Sequence, residues 1–210
     1  MGWGLEKSQI CILDYGSGNV ASVFNAFNKL GNAVLVSNSP ADLESSSHIV
    51  LPGVGSFDSA MAKINETLPL DMIVKCISEG KPFLGICVGL QVLASFGTEG
   101  VPIPGLGYFD AHVRKLSTQG LPVPHIGWNN VSVKNKTKLF DGISPETDFY
   151  FVHSYYIDLP MDSDSVTATS EYGINFPSAV ASGNLMGVQF HPEKSQAAGL
   201  KLLNNFANLS

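Results

Sequence analysis

Charge is scarce in this 210-residue chain: Asp, Glu, Lys and Arg make up 14% of it, well under the usual quarter. The charge present sums to −6 with no basic stripe, which argues against nucleic acid or an anionic membrane as the main partner. Long apolar runs are missing too, and none approaches the ~20 residues of a membrane span. The opening MGWGLEKSQ has no basic segment leading into an apolar one. Glu6 stands where the myristoylation pattern requires a hydroxyl. A cytoplasmic protein is expected. Cysteine is sparse: Cys11, Cys76 and Cys87 lie far apart, with no CxxC and no His/Cys cluster at zinc spacing. Neither a metal site nor a disulfide framework is expected. Cys11 in QICILDY and Cys76 in LDMIVKCISEG read as packed core thiols.

Glycine (21) and proline (12) are plentiful and punctuate the apolar runs. QICILDY, AVLVS, HIVLPG and KPFLGIC read as strands. NVASVFNAFNKLG, SFDSAMAKINE and LPLDMIVKCISEG read as helices, and GLQVLASF as another beginning directly after Cys87. This βαβ rhythm predicts a mainly parallel sheet with helices on both faces, a three-layer α/β fold. After about residue 100 the segments become short and β-rich: GVPIPGLGYFDAHVRKL, NNVSVKN, DFYFVHSYYID, SVTATSEYG, SAVASG and NLMGVQF. They read as antiparallel strands and hairpins that extend the sheet. SQAAGLKLLNNFANL closes the chain as a helix, with Leu200, Leu203, Phe206 and Ala207 on one face. With no internal repeat or low-complexity linker, one domain is expected over residues 9–210, preceded by a short extension over 1–8.

DYGSGNVA, residues 14–21, has the glycine spacing of a dinucleotide fingerprint. However, Asp14 and Tyr15 intrude before the first glycine, and the next strand ends in Ser37 and Asn38, where an NAD site wants an acid. No cofactor is expected. The segment reads as a tight turn with Asn19 at the helix start, or as Tyr15 and Asn19 presenting polar groups at the strand edge.

Cys87 closes an apolar strand between Gly85 and Gly89. A strand–turn–helix of this kind resembles a nucleophile elbow, in which the flanking glycines avoid Cβ clashes as the chain reverses. The helix after it would favour the thiolate, and the Val88 N–H could serve an oxyanion. On spacing alone, a packed thiol and a nucleophile remain equally open. A nucleophile needs a base and an orienter. In GVQFHPEKS an apolar strand delivers His191, and Glu193 follows at i+2, the same face if the segment stays extended, as Pro192 encourages.

GICVGLQ together with GVQFHPEKS resembles the class I (triad) glutamine amidotransferases. With ILDYGSGNV, VLPGVGSF, PHIGWNNV and FYFVHSYY, nearly the whole chain is similar to the glutaminase subunits of imidazole glycerol phosphate synthases. That resemblance implies a mixed, mainly parallel sheet with a flavodoxin-like core. It implies glutamine hydrolysis with Cys87 as nucleophile, His191 as acid–base and Glu193 as its orienter. The Val54 and Val88 N–H groups would form the oxyanion hole, and Val88 keeps that donor where the family usually has Leu or Ile. Gly55, Gln91, His153, Ser154 and Tyr155 match positions that hold glutamine. Asn19, Trp128, Asn129, Tyr150 and Lys194 match positions at or near the interface with a (β/α)8-barrel cyclase, the heterodimer partner that receives ammonia in histidine biosynthesis. The alternatives are a paralogue feeding the amidination of a bacterial surface sugar, a non-catalytic binding subunit, and a stand-alone cysteine hydrolase.

Overall fold

A computed structural model describes residues 9–97, 102–134 and 137–210. The expected extension over 1–8 and part of the stretch SFGTEGVPIPGLGYFD lie outside the described residues. In chain order the elements are β1 Gln9–Ile12, α1 Val20–Lys29, β2 Ala33–Val36, α2 Pro40–Ser45, β3 His48–Gly53, α3 Phe57–Thr67 and α4 Leu70–Ser78. Then come β4 Phe83–Cys87, α5 Val88–Gln91, β5 Ala94–Gly97, β6 Ile103–Pro104, β7 Phe109–Lys115 and β8 His125–Val133. β9 Thr147–His153, β10 Tyr155–Asp158, β11 Val166–Glu171, β12 Asn175–Ser182, β13 Leu185–Val188 and α6 Gln196–Ala207 complete the fold.

The main sheet runs β2-β1-β3-β4-β13-β12-β11-β8-β9. Its first five strands are parallel and the rest antiparallel. β3 and β4 are buried at every position, as central strands covered on both faces must be. α1 and α6 pack together on one face through Phe27 and Phe206, 6.2 Å between ring centroids. Right-handed crossovers put α2, α3 and α4 on the other face, where the Cys76 thiol donates to the Leu43 carbonyl at 3.7 Å. Cys11 and Cys76 are buried, as expected of core thiols. No described helix is long and apolar enough to cross a membrane.

Three differences from the sequence expectation concern the sheets and the turn that frame the site. β13 is parallel to β4, not part of the antiparallel extension. β10-β7-β5-β6 form a separate four-stranded sheet, because the chain turns at Ser154 from β9 in one sheet to β10 in the other. The helix after Cys87 is a single turn. Residues 92–97 leave it because the next segments capture their carbonyls: Leu106 N–H bonds Val92 O at 2.8 Å and Gly105 N–H bonds Ser95 O at 2.9 Å.

Candidate active site

The adjacent strands β3, β4 and β13 deliver three chain segments to one carboxyl edge of the parallel sheet, where open α/β sheets bind ligands. β4 ends on Cys87, whose backbone has φ +56° and ψ −109°. A non-glycine residue held there carries strain of order 1–3 kcal/mol, the signature of a sharp elbow. Two glycines make the reversal fit. A Cβ on Gly85 would lie 2.4 Å from Gly89 O, and one on Gly89 would lie 1.8 Å from Leu51 O. The turn brings the thiol to a cavity of about 340 Å³ lined by Val54, Gly55, Val88, Gln91 and the His153–Tyr155 corner. Lys194, exposed and expected at an interface, also lines this cavity.

His191 follows β13 with no exposed surface, fixed by its N–H to Tyr150 O (2.8 Å) and its carbonyl to the Ser195 hydroxyl (2.6 Å). Its Nδ1 meets Glu193 Oε1 at 2.7 Å, and both side chains are fully buried. The pair does not meet along an extended segment. Pro192–Lys194 form one turn of 3-10 helix, for which the proline's fixed φ is suited. Burial disfavours the imidazolium. The Cys87 sulfur and the Glu193 carboxylate outweigh it and raise the His191 pKa to about 10. Nε2 is the ring nitrogen not held by Glu193, and the Cys87 side chain is a hydrogen-bonding and charge partner of the ring, so the two can exchange a proton.

Asn19 is buried. Its amide donates to Glu193 Oε1 at 3.2 Å and its Oδ1 accepts from Ser17 at 2.8 Å. It starts α1 but makes no side-chain cap, because Oδ1, the atom that would accept from the helix, accepts from the Ser17 hydroxyl instead. Asn38, where a dinucleotide site would have an acid, clasps Asp14 through that residue's N–H (3.0 Å) and carbonyl (2.7 Å).

The would-be oxyanion donors lie at the end of a ladder. β3 and β4 pair in register from Ile49–Phe83 to Gly53–Cys87. Ile49 N–H donates to Pro82 O at 2.9 Å, and the alternation of a parallel ladder then sets the Gly53 carbonyl opposite the Val88 N–H. Gly55 has φ +102°, a conformation that suits glycine, and a Cβ there would meet nothing within 4 Å.

On the opposite wall, the Tyr155 carbonyl accepts from Gln91 Nε2 at 2.8 Å and from His153 Nδ1 at 2.9 Å. A carbonyl only accepts, so His153 carries its proton on Nδ1 and its Nε2 takes one from His125 Nδ1 at 3.0 Å. His125 Nε2 then accepts from the Asn129 amide at 3.3 Å, which also holds Glu171 O at 2.9 Å. Burial lowers the pKa of His125 to about 4 and that of His153 to about 3, so both rings are neutral. Asn129 is thus turned inward. Trp128 (46% exposed) and Ile126 (60%) share the outer face of β8, with Trp128 edge-on to Tyr150 at 6.0 Å.

Sequence reasoning missed Gln189, which has no exposed surface and donates to Cys87 Sγ at 3.6 Å. Its position two residues before His191, on the same face of an extended segment, is the signal that could have found it.

The "Glutamine amidotransferase class-I" family matches residues 11–209, and the chain belongs to that family. It is 46% identical over 200 residues to the imidazole glycerol phosphate synthase subunit HisH of Moorella thermoacetica, covering 95% of this chain and 94% of that protein. It is 44% identical to the protein of the same name from Methanothermobacter thermautotrophicus, over 95% and 98% of the two chains. A solved glutamine amidotransferase structure shares the fold at a TM-score of 0.73 and 20% identity, covering 95% of this chain and 99% of that one.

Proposed function

We propose that this chain is the glutaminase subunit of an imidazole glycerol phosphate synthase, hydrolysing L-glutamine to glutamate and ammonia for histidine biosynthesis. The observation that carries the reading is the buried Cys87–His191–Glu193 cluster at a cavity in a chain 46% identical to a HisH subunit. Cys87 gives its proton to His191 Nε2, and the thiolate attacks the side-chain amide carbon of glutamine. The tetrahedral intermediate collapses as the C–N bond breaks and His191 protonates the leaving nitrogen, leaving a thioester. His191 then deprotonates a water, which attacks that thioester and releases glutamate and the thiol. Glu193, steadied by Asn19, holds the ring in the working orientation.

The oxyanion is received by the Val88 and Val54 N–H groups after one rotation of the Gly53–Val54 peptide. That rotation withdraws the Gly53 carbonyl from Val88 and turns the Val54 N–H inward. One such donor is worth roughly 3–4 kcal/mol in acyl transfer, so docking of the cyclase subunit can control turnover through this peptide. Gly55, Gln91, His153, Ser154 and Tyr155 hold glutamine. Trp128 and Tyr150, with Lys194 at the cavity mouth and Asn129 behind them, form the face toward a (β/α)8-barrel cyclase. That cyclase uses the ammonia to make imidazole glycerol phosphate and AICAR. Residues 9–210 act as one domain, in the cytoplasm, with no metal or cofactor.

The test is reconstitution with the histidine-pathway cyclase of the same organism. Glutamate release stimulated by that cyclase and its ligand, with matching product formation, is the expected result. A chain that hydrolyses glutamine at full rate alone, or that ignores this cyclase, would overturn the assignment.

A further inference from the structure

The mechanism above uses no group of Gln189, which has no exposed surface. Its amide orientation follows from its partners. The Tyr155 carbonyl accepts from Gln91, so the group of Gln91 beside it is the NH2. That same nitrogen lies 3.1 Å from Gln189, where it must meet Oε1. The NH2 of Gln189 is left facing Cys87 Sγ at 3.6 Å. A further neighbour of the sulfur, besides His191, is the Val152 carbonyl at 3.9 Å, an acceptor that suits a thiol and repels a thiolate. Once Cys87 has given its proton to His191, the thiolate has two donor partners among the described residues, the His191 ring and the Gln189 amide, and of these two the amide keeps its hydrogen through the reaction.

We propose that Gln189 is a catalytic residue that donates an N–H to the Cys87 thiolate and holds it aimed at the substrate carbon. The proposal rests on Cys87 being the nucleophile. An amide suits the task because it cannot take the proton, so it does not compete with His191. Its direction is locked by a chain anchored on one main-chain carbonyl, Gln189 to Gln91 to Tyr155. The same chain ties the thiolate to a wall of the glutamine cavity, which Gln91 and Tyr155 line.

The experiment measures iodoacetamide alkylation of Cys87 against pH, read by peptide mapping, on the full chain bound to its cyclase. Gln189→Met keeps length and removes the donor; Gln189→Glu keeps shape and replaces it with a carboxylate. A hydrogen bond to a charged group is worth about a factor of ten or more. The alkylation midpoint should rise by about one pH unit in Gln189→Met and further in Gln189→Glu, with kcat for glutamine falling about tenfold. A packing role would lower stability and leave the midpoint in place. On the wild-type complex, the Gln189 side-chain amide resonance should move with the same midpoint as alkylation, which keeps the test decisive if both variants misfold. An unmoved midpoint in either folded variant, or an amide resonance that ignores it, overturns the proposal and spares the nucleophile. A wild-type Cys87 that fails to react removes both.

Discussion

Replacing Gly89 by alanine probes the frame that holds Cys87 out of its strand. The new Cβ would meet the Leu51 carbonyl oxygen at 1.8 Å, where ordinary contact begins at 3.4 Å. That oxygen belongs to the main chain of β3, a central strand bonded on both sides, so no side chain can swing away to make room. Overpacking of this kind costs about 1–3 kcal/mol and sometimes more, and the backbone-to-backbone clash puts this case at about 3 kcal/mol. Gly80→Ala is the control. Its φ is positive (+89°), unlike that of Gly89, but nothing lies within 4 Å of the added carbon, so it carries only the left-handed penalty of about 1–2 kcal/mol. Urea unfolding of the two variants measures the difference. The structure also requires Gly89→Ala to move the elbow, and a displacement of about 1 Å costs roughly a hundredfold in turnover. If Gly89→Ala matched Gly80→Ala in stability and kept wild-type turnover, the packed elbow would be refuted.

Three further outcomes follow from the site. Glu193→Gln keeps the shape of the side chain but removes the charge 2.7 Å from His191; kcat with glutamine should fall about a hundredfold or more in stopped assays of glutamate release, with a smaller change in KM. His125 and His153 have folded pKa values below the ordinary histidine value, so the unfolded chain binds more protons between the two. Stability is therefore full above about pH 6.5 and falls as pH drops toward 4, by on the order of a few kcal/mol, and urea titrations of His125→Asn should show a shallower slope in that window. Trp128→Ala, at an exposed site, should leave the unfolding midpoint nearly unchanged while weakening cyclase binding about tenfold or more by calorimetry.

Much of the parallel half could be read from the sequence, because buried strands such as HIVLPG and FLGIC are continuous apolar runs closed by glycine or cysteine. α2 escaped notice because PADLES buries only Leu43 and so shows no periodicity. The stretch from Val92 to Gly97 looked helical, yet long-range pairing with β6 and β7 overrides its local pattern. The Cys87, His191 and Glu193 positions were legible because each is a chemically distinctive residue beside a turn. Gln189 and the inward turn of Asn19 were not, since an amide carries no chemical signal until its partners are known.

The central claim is that Cys87 is the nucleophile through which glutamine nitrogen leaves. The direct measurement compares wild type and Cys87→Ala, each bound to the cyclase, with glutamine and then with added ammonium as the nitrogen source. The account predicts that Cys87→Ala loses glutamate release while the ammonium-driven cyclase reaction continues at the wild-type rate. Glutamine-dependent turnover that survives in Cys87→Ala would contradict it.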